Sequence, residues 1–449
     1  MNESSNKRTS RREFLQGAMG AAAAFTIVPR HVLGAGVTPP SEKLNIACIG
    51  VGGRGAANLE GVSGENIVAL CDVDMRRSGK AFEKYPKAER YRDFRKMFDA
   101  MEEKIDAVVV STPDHTHAVA AMAAIKRGKH VYCEKPLAHS IYEIRRLMAA
   151  ARKYKVVTQL GNQGHSFDRI RMFCEWIWDG AIGNVQQVHA ACGATNSRLS
   201  DLSRLQERHE IPAELDWDLW LGPAQYRPYN PMYLPGKWRA WMPFGSGTIG
   251  DWVCHVVDPV FWALRLGSPN TVRARARAYD PKKHADTFPM GTIVEYEFPA
   301  RGKRRPVSLT WFGGIEKLPR PDDLEPDRKV PNTGAIVIGD KGKIMYGSHG
   351  ANGARIIPEE KMRAYKQPRK ILPRVKGHYR DWLRAIKEEG QAGSNFDYGG
   401  PLTEIAQLGI IAMKMLGQKL AWDGENMRFT NSDEANQYIN PPYRQGWML

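Results

Sequence analysis

Cysteine is scarce in this chain, six residues among 449, and the six are too widely spaced to form a zinc site or a redox dithiol. Cys48, Cys71 and Cys133 fall inside apolar, strand-like runs, so buried free thiols are expected rather than a disulfide framework. Long apolar runs are missing as well. The candidate from Gly17 to Val28 is far short of the ~20 residues a helix needs to cross a bilayer, which argues against a permanent membrane anchor. No low-complexity tract or fixed-period repeat is present, which removes solenoid and array architectures. Acid is the minority charge, 49 Asp and Glu against 65 Lys and Arg, a net +16. The excess is scattered, with local runs at Arg301 to Arg305 and Arg369 to Lys376, and no nucleic-acid reader motif accompanies it. An anionic sugar or cell-envelope polymer is therefore the expected partner, not nucleic acid. What remains is ordinary: 42% hydrophobic and 25% charged residues, in a chain long enough for two domains with separate cores.

The first 35 residues stand apart. Ser10-Arg11-Arg12-Glu13-Phe14-Leu15 precedes the short apolar run, and Leu33-Gly34-Ala35 follows it. This resembles a twin-arginine export signal, with a charged start, a short apolar centre and a small-residue cleavage site. The resemblance implies a periplasmic or otherwise exported protein that engages the twin-arginine machinery after folding, with a cofactor loaded and tightly bound. The segment carries five Lys/Arg against two Asp/Glu, which leaves +13 on the rest. The expected organisation is a signal over 1–35, a nucleotide-binding domain over 42–165 and an α+β domain over 166–449 for substrate and oligomerisation. C-terminal helices are free to pack back on the first domain.

From Leu44 an apolar strand, Leu-Asn-Ile-Ala-Cys-Ile, runs into Gly50-Val51-Gly52-Gly53-Arg54-Gly55 and then into a helical stretch from Ala56. This is G-x-G-x-x-G in the setting it requires. Gly50 makes the tight turn, Gly52 admits a pyrophosphate, Gly55 lets helix and sheet approach, and Gly53 and Arg54 complete the loop. The helix N-terminus then offers free N–H groups to phosphate. The next strand, Asn66 to Cys71, ends in Asp72, 20 residues after Gly52, placed to accept ribose hydroxyls. Its charge favours NAD over NADP, although Arg76 and Arg77 follow closely. Strands at Ile105–Val110, His130–Cys133 and Val156–Leu160 alternate with helices at Ala118–Arg127 and Ile141–Tyr154, which predicts a parallel, doubly wound sheet. The loops after these strands are Ser111 to His117, Glu134 to Leu137 and Gly161 to His165.

Glu134-Lys135-Pro136, preceded by Thr112-Pro113 and His117, is similar to the signature of the Gfo/Idh/MocA oxidoreductases. The resemblance extends from Leu44 onward. It includes the Pro401 to Glu404 helix and the Ala421 to Asn426 turn of secreted members. It implies NAD held by Gly50, Gly52, Gly53, Arg54, Gly55, Asp72, Thr112, Pro113, His117, Glu134 and Lys135. It also places Lys135 beside the nicotinamide, and gives the second domain a large, mostly antiparallel sheet whose exposed face makes a homodimer or homotetramer.

Beyond Gly180 the pattern changes to strand-like stretches at Val185–Cys192, Thr271–Ala278, Thr292–Phe298 and Val307–Phe312. Trp217, Trp220, Trp238 and Trp241 are expected as packing anchors, with sugar stacking the alternative. Asp251 and His255 lie four apart and share a face if helical, similar to the family's D-x-x-x-H motif. Alcohol oxidation needs a group to take the hydroxyl proton as hydride leaves, and His titrates in that range. His255 is the candidate base, Asp251 its orienting partner and Lys135 the cation for developing alkoxide charge. Gln163 and His165 are candidate substrate contacts, Asp258 is read as structural, and His115 and His117 lack a third ligand for a metal. The leading function is hydride transfer on a sugar, glycoside or polyol. The alternatives are an NAD-dependent glycoside hydrolase working through a transient 3-keto intermediate, and a non-catalytic sugar-binding or sensing protein.

Overall fold

The computed structural model describes residues 42–388 and 390–449; the expected export signal lies outside them. Every element below belongs to the unit Leu44–Leu449. Six strands, β1 (Asn45–Ile49), β2 (Asn66–Cys71), β3 (Glu89–Tyr91), β4 (Ala107–Val110), β5 (His130–Cys133) and β6 (Thr158–Leu160), form one sheet in the order β3-β2-β1-β4-β5-β6. All its pairings are parallel. Ala-Val-Val-Val of β4 is buried at every position, as expected where helices cover both faces. The strand order reverses between β1 and β4, and that reversal opens a crevice at their carboxyl ends.

Two details depart from the sequence reading. The edge strand β3, only Glu-Arg-Tyr and largely exposed, carries no apolar pattern to announce it. The helix expected from Ala118 begins at Asp114, with extended Pro113 as its N-cap. Asp114 to His117 are therefore the first helical turn and not loop. Cys48, Cys71, Cys133, Cys174, Cys192 and Cys254 are all buried free thiols.

The second sheet has nine strands: β7 (Val185–Cys192), β8 (Thr271–Ala276), β9 (Gly291–Phe298), β10 (Val307–Gly314), β11 (Thr333–Gly339), β12 (Lys343–Gly347), β13 (Asn352–Ile357), β14 (Lys419–Asp423) and β15 (Arg428–Phe429). Their order is β13-β12-β11-β7-β10-β9-β8-β14-β15, antiparallel except where β7 meets β10. β9 alternates buried and partly exposed residues, because only one face is covered. Helices Gly247–Val256 and Phe396–Lys414 pack on that face. The long helix starts on the Asn395 side chain, which accepts from the amides of Asp397 and Tyr398.

Trp217, Trp220, Trp238 and Trp241 are buried in one cluster with Tyr229, Tyr233 and Phe244, as packing anchors are. Trp217 and Trp220 stack with centroids 4.8 Å apart. The helix His378–Lys387 returns to the first sheet, where fully buried Trp382 meets the Tyr132 ring edge-on at 5.8 Å. No helix among the described residues is long and apolar enough to cross a membrane.

Candidate active site

The crevice begins at the glycine loop. Gly50 and Gly53 take left-handed φ values of 78° and 56°, which favour glycine. At Gly55 a Cβ would stand 1.9 Å from the Gly50 carbonyl oxygen, so no side chain fits. Gly53 caps the helix Arg54–Gly61 without a side-chain hydrogen bond, and its first turn holds no acid. The amides of Gly55 and Ala56 donate to the Gly52 and Gly53 carbonyls at 3.0 and 3.2 Å, and no side chain caps this helix start, the end of a helix that favours an anion. Asp72 closes the loop from the end of β2. One carboxylate oxygen accepts from Val51 N at 2.9 Å and Gly52 N at 3.3 Å, and the other accepts from Asp74 N at 3.0 Å. Burial raises the Asp72 carboxyl above its ordinary value, and these amides pull the other way. Arg76 is taken up by Asp74 in a two-point contact, whereas Arg77 lines the crevice beside Gly53.

The crevice has a cavity volume of about 170 Å³ and opens to solvent. Gly50, Gly52, Arg54, Asp72, Thr112, Pro113, His117, Glu134 and Lys135 line one wall, so the residues expected around a dinucleotide converge on it. Leu219, Trp220, Leu234, Trp238 and Arg239 line the other. Glu134 organises the end of β5. Its Oε1 accepts from Arg54 Nε at 3.2 Å, Asn58 Nδ2 at 3.0 Å and Gln163 Nε2 at 3.0 Å.

Lys135, at the carboxyl end of β5, reaches across to the helix Gly247–Val256. Its Nζ donates to Asp251 Oδ1 at 2.5 Å and to the Asp251 carbonyl oxygen at 2.8 Å. Arg239 Nε donates to the same Oδ1 at 3.2 Å. Burial alone would raise the Asp251 carboxyl, but Lys135 and then Arg239 hold it well below the usual carboxylate range. Asp251 and His255 do share a helical face, but the partners of the Asp251 carboxylate are the two cations and not the imidazole. Its hold on His255 is electrostatic: burial, Lys135 and His349 push the imidazole well below 6.5, and Asp251 opposes them. The His255 ring is buried and stacks on His349 at 4.2 Å, and its Nδ1 has no hydrogen-bond partner among the described residues. The ring is thus neutral.

Gln163 and His165 face inward. Gln163 donates to Tyr132 Oη at 2.6 Å as well as to Glu134. His165 is buried with Nδ1 3.0 Å from Asp258 Oδ1 and its ring stacked on Trp262. Tyr132 and Glu134 thus hold Gln163, and Asp258 with Trp262 holds His165. His117 contacts the carbonyls of Pro136 and Thr112, each at 2.8 Å, and His115 those of Phe244 and Trp220. Sequence reading missed Arg239 and His349. Neither belongs to a recognisable pattern, and His349 lies 94 positions beyond His255 in a turn where its φ is 56°.

The comparisons with known proteins agree with this geometry. The oxidoreductase family described as having an NAD-binding Rossmann fold matches residues 44–162, and its C-terminal alpha/beta domain matches 198–303 and 325–449. An inositol 2-dehydrogenase of Rubrobacter xylanophilus is 36% identical over 115 residues, 24% of this chain and 32% of that protein. Glycosyl hydrolase family 109 protein 2 of Akkermansia muciniphila is 29% identical over 224 residues, 41% of this chain and 47% of that protein. The match thus spans a third to a half of these curated relatives. Among solved structures, the WlbA dehydrogenase of Chromobacterium violaceum, in complex with NADH and UDP-GlcNAcA, superimposes with a TM-score of 0.58 at 17% identity, covering 86% of this chain and 97% of that one. Aldose-aldose oxidoreductase of Caulobacter crescentus, complexed with glycerol, gives 0.54 at 17% identity, covering 85% and 100%. At such identity these two speak for the fold. With both of its domains matched and the glycine crevice in place, the chain belongs to the Gfo/Idh/MocA oxidoreductase family.

Proposed function

We propose that the protein is an exported, NAD-dependent oxidoreductase acting on a hydroxyl carbon of a sugar, glycoside or polyol. The observation that carries this reading is the Lys135–Asp251 pair beside the glycine crevice, which ties the end of β5 to the second domain. The crevice fits the dinucleotide: the uncapped helix start and glycine loop suit a pyrophosphate, and the Asp72 carboxylate suits ribose hydroxyls. Bound there, NAD supplies a hydride acceptor. Lys135 holds positive charge where a substrate oxygen loses its proton, and a buried cation stabilises that charge more than water does. His255, kept neutral, takes the proton at its imidazole. Asp251 fixes the Lys135 ammonium and prevents it from meeting Arg239 uncompensated.

Residues 1–35 support export by the twin-arginine route, and the uncovered face of the nine-stranded sheet suits a second copy of the chain. The test is to purify the exported form, identify any co-purifying nucleotide by mass spectrometry, and screen sugars and polyols for reduced-nicotinamide absorbance. Failure of every polyol and sugar to reduce the nucleotide would refute the proposal. A second reading is NAD-dependent glycoside hydrolysis, favoured by the longer stretch shared with the glycosyl hydrolase family 109 relative. Free sugar released from a nitrophenyl glycoside, without added NAD and without accumulating NADH, would select it. If neither the wild type nor Lys135→Ala turned over any sugar, glycoside or polyol while both still bound sugar, a non-catalytic sugar-binding role would replace both readings.

A further inference from the structure

The basic run Arg301 to Arg305 has no part in the crevice, yet it is not merely dispersed surface charge. It forms the turn between β9 and β10, closed by reciprocal backbone hydrogen bonds between Arg301 and Arg304, each 3.0 Å. The turn borders a separate, solvent-open hollow of about 590 Å³ lined by Trp178, Arg265, Arg301, Lys303, Arg304 and Arg305 among others. Five cations therefore border one hollow, and none of the five makes a salt bridge among the described residues.

Part of this arrangement serves the fold. Arg301 Nη1 donates to the Arg265 carbonyl at 3.2 Å, and Arg304 Nη2 to those of Leu266 and Pro299 at 3.4 and 2.7 Å. The Arg265 and Leu266 carbonyls follow the helix Asp258–Leu264, whose C-terminal end favours positive charge, and Pro299 follows β9. That accounts for two guanidinium groups. It does not account for the side chains of Arg265, Lys303 and Arg305. Asp340 is the acid that feels Arg305, and its carboxylate is already held by the amide and side chain of Asn184. Burial and neighbouring Arg301 lower the Arg304 guanidinium, and its Nε is buried without a partner. Apart from the longer-range attraction between Arg305 and Asp340, the positive charge of the hollow has no ion-pair partner among the described residues.

The second component is Trp178. It is one of the few large apolar side chains left exposed, at 38%, and its Nε1 is tied to the Ala263 carbonyl at 2.8 Å. The indole is therefore held in place with part of its surface presented to the hollow. An aromatic surface that stacks on the C–H face of a sugar ring, flanked by cations for its acidic substituents, matches one ligand chemistry well. Nucleic acid and anionic membranes would also answer to the charge, but a recessed hollow with a single fixed ring favours a saccharide over a flat bilayer or a duplex.

We infer that this hollow is a docking site for an anionic saccharide, a carboxylated or sulfated oligosaccharide, separate from the glycine crevice. The proposal does not depend on the redox reading, and it stands if the crevice performs hydrolysis instead. It makes a place for a polymer to be held while one residue is processed elsewhere on the same molecule.

The test titrates the full exported chain with an oligogalacturonate, a sulfated oligosaccharide of equal length and its neutral parent, by calorimetry at two salt concentrations. Binding of at least one charged saccharide, weakened by salt and absent for the neutral parent, is expected. The double variant Lys303→Ser/Arg305→Ser should weaken it at least roughly tenfold, the loss of one or more charge-assisted contacts. Trp178→Ala should weaken the saccharide but not inorganic sulfate. Unchanged melting temperatures in both variants separate lost binding from lost folding. Turnover of a small substrate in the crevice should be the same in wild type and the double variant. Equal binding of the neutral parent, or undiminished binding in the double variant, would overturn the proposal. So would tighter binding to phosphatidylglycerol vesicles or to duplex DNA that is indifferent to Trp178→Ala.

Discussion

Replacing Asp251 by Asn removes one negative charge and almost no volume. In the structure that charge serves two cations, Lys135 Nζ at 2.5 Å and Arg239 Nε at 3.2 Å, with the paired side chains of Lys135 and Asp251 only 12% and 20% exposed. A unit charge pair at ~4 Å is worth roughly 4 kcal/mol at the effective dielectric of a protein surface. Breaking a buried pair by removing one partner costs about 3–5 kcal/mol, and the residual exposure puts this site near the low end, about 3 kcal/mol. The folded protein should therefore lose several degrees of melting temperature, measured by scanning calorimetry. Catalysis should suffer more selectively. With the ammonium no longer fixed, turnover should fall roughly 10²–10³-fold, the scale of losing one oriented electrostatic group. Nucleotide affinity, which depends on the loop from Gly50 to Gly55, should move little. Arg239→Gln should restore part of the lost stability in the double variant, because it removes one of the two cations left facing each other. Turnover within about threefold of wild type, with stability unchanged, would refute the placement of the reactive centre at this cluster.

Asp72→Asn should weaken NAD binding about tenfold and narrow the preference over NADP, since Arg77 remains in the crevice; competitive titration with both nucleotides measures it. Gly55→Ala should abolish nucleotide binding and cost at least about 1–3 kcal/mol, because its Cβ has nowhere to go beside Gly50; chemical denaturation and nucleotide fluorescence report the two losses. Acid should destabilise the protein early. Burial lowers His115 to about 3 and His378 to about 4, against an ordinary 6.5. Below pH 6.5 the unfolded chain takes up these protons and the folded one does not, so each His lowers stability by about 1.4 kcal/mol per pH unit. Denaturant midpoints at pH 7 and pH 5 should differ accordingly, and equal midpoints would contradict the burial of these rings.

The parts of the molecule that could be read in advance were those with a local physical cause. Gly55 is forced by its approach to the Gly50 backbone within a single turn, Gly50 by its positive φ, and the β4 run Ala-Val-Val-Val by burial on both faces. Lys135 was legible because its neighbours on either side form part of the same turn. Arg239 and His349 were not, since each reaches the site only through the packing of distant segments, and an Arg after a Trp or a His in a Ser-His-Gly turn has many other uses. The surroundings of His165 were hidden for the same reason: a His after a strand looks open in sequence, and only the fold supplies Asp258, Trp262 and Tyr398 around it. The Asp251–His255 spacing correctly suggested a shared face but carried no information about which neighbour would claim the carboxylate.

The helix His378–Lys387 has a practical bearing on anyone who would re-engineer the nucleotide half. Trp382 and Tyr379 are laid against Tyr132 from a stretch more than two hundred residues downstream, so a cassette cut at residue 165 would leave an aromatic gap under the sheet. Large-to-small loss of such a ring costs about 3–5 kcal/mol. Cofactor preference in this protein is therefore better altered by substitution in place than by grafting, and a transplanted nucleotide domain would need this helix carried along with it.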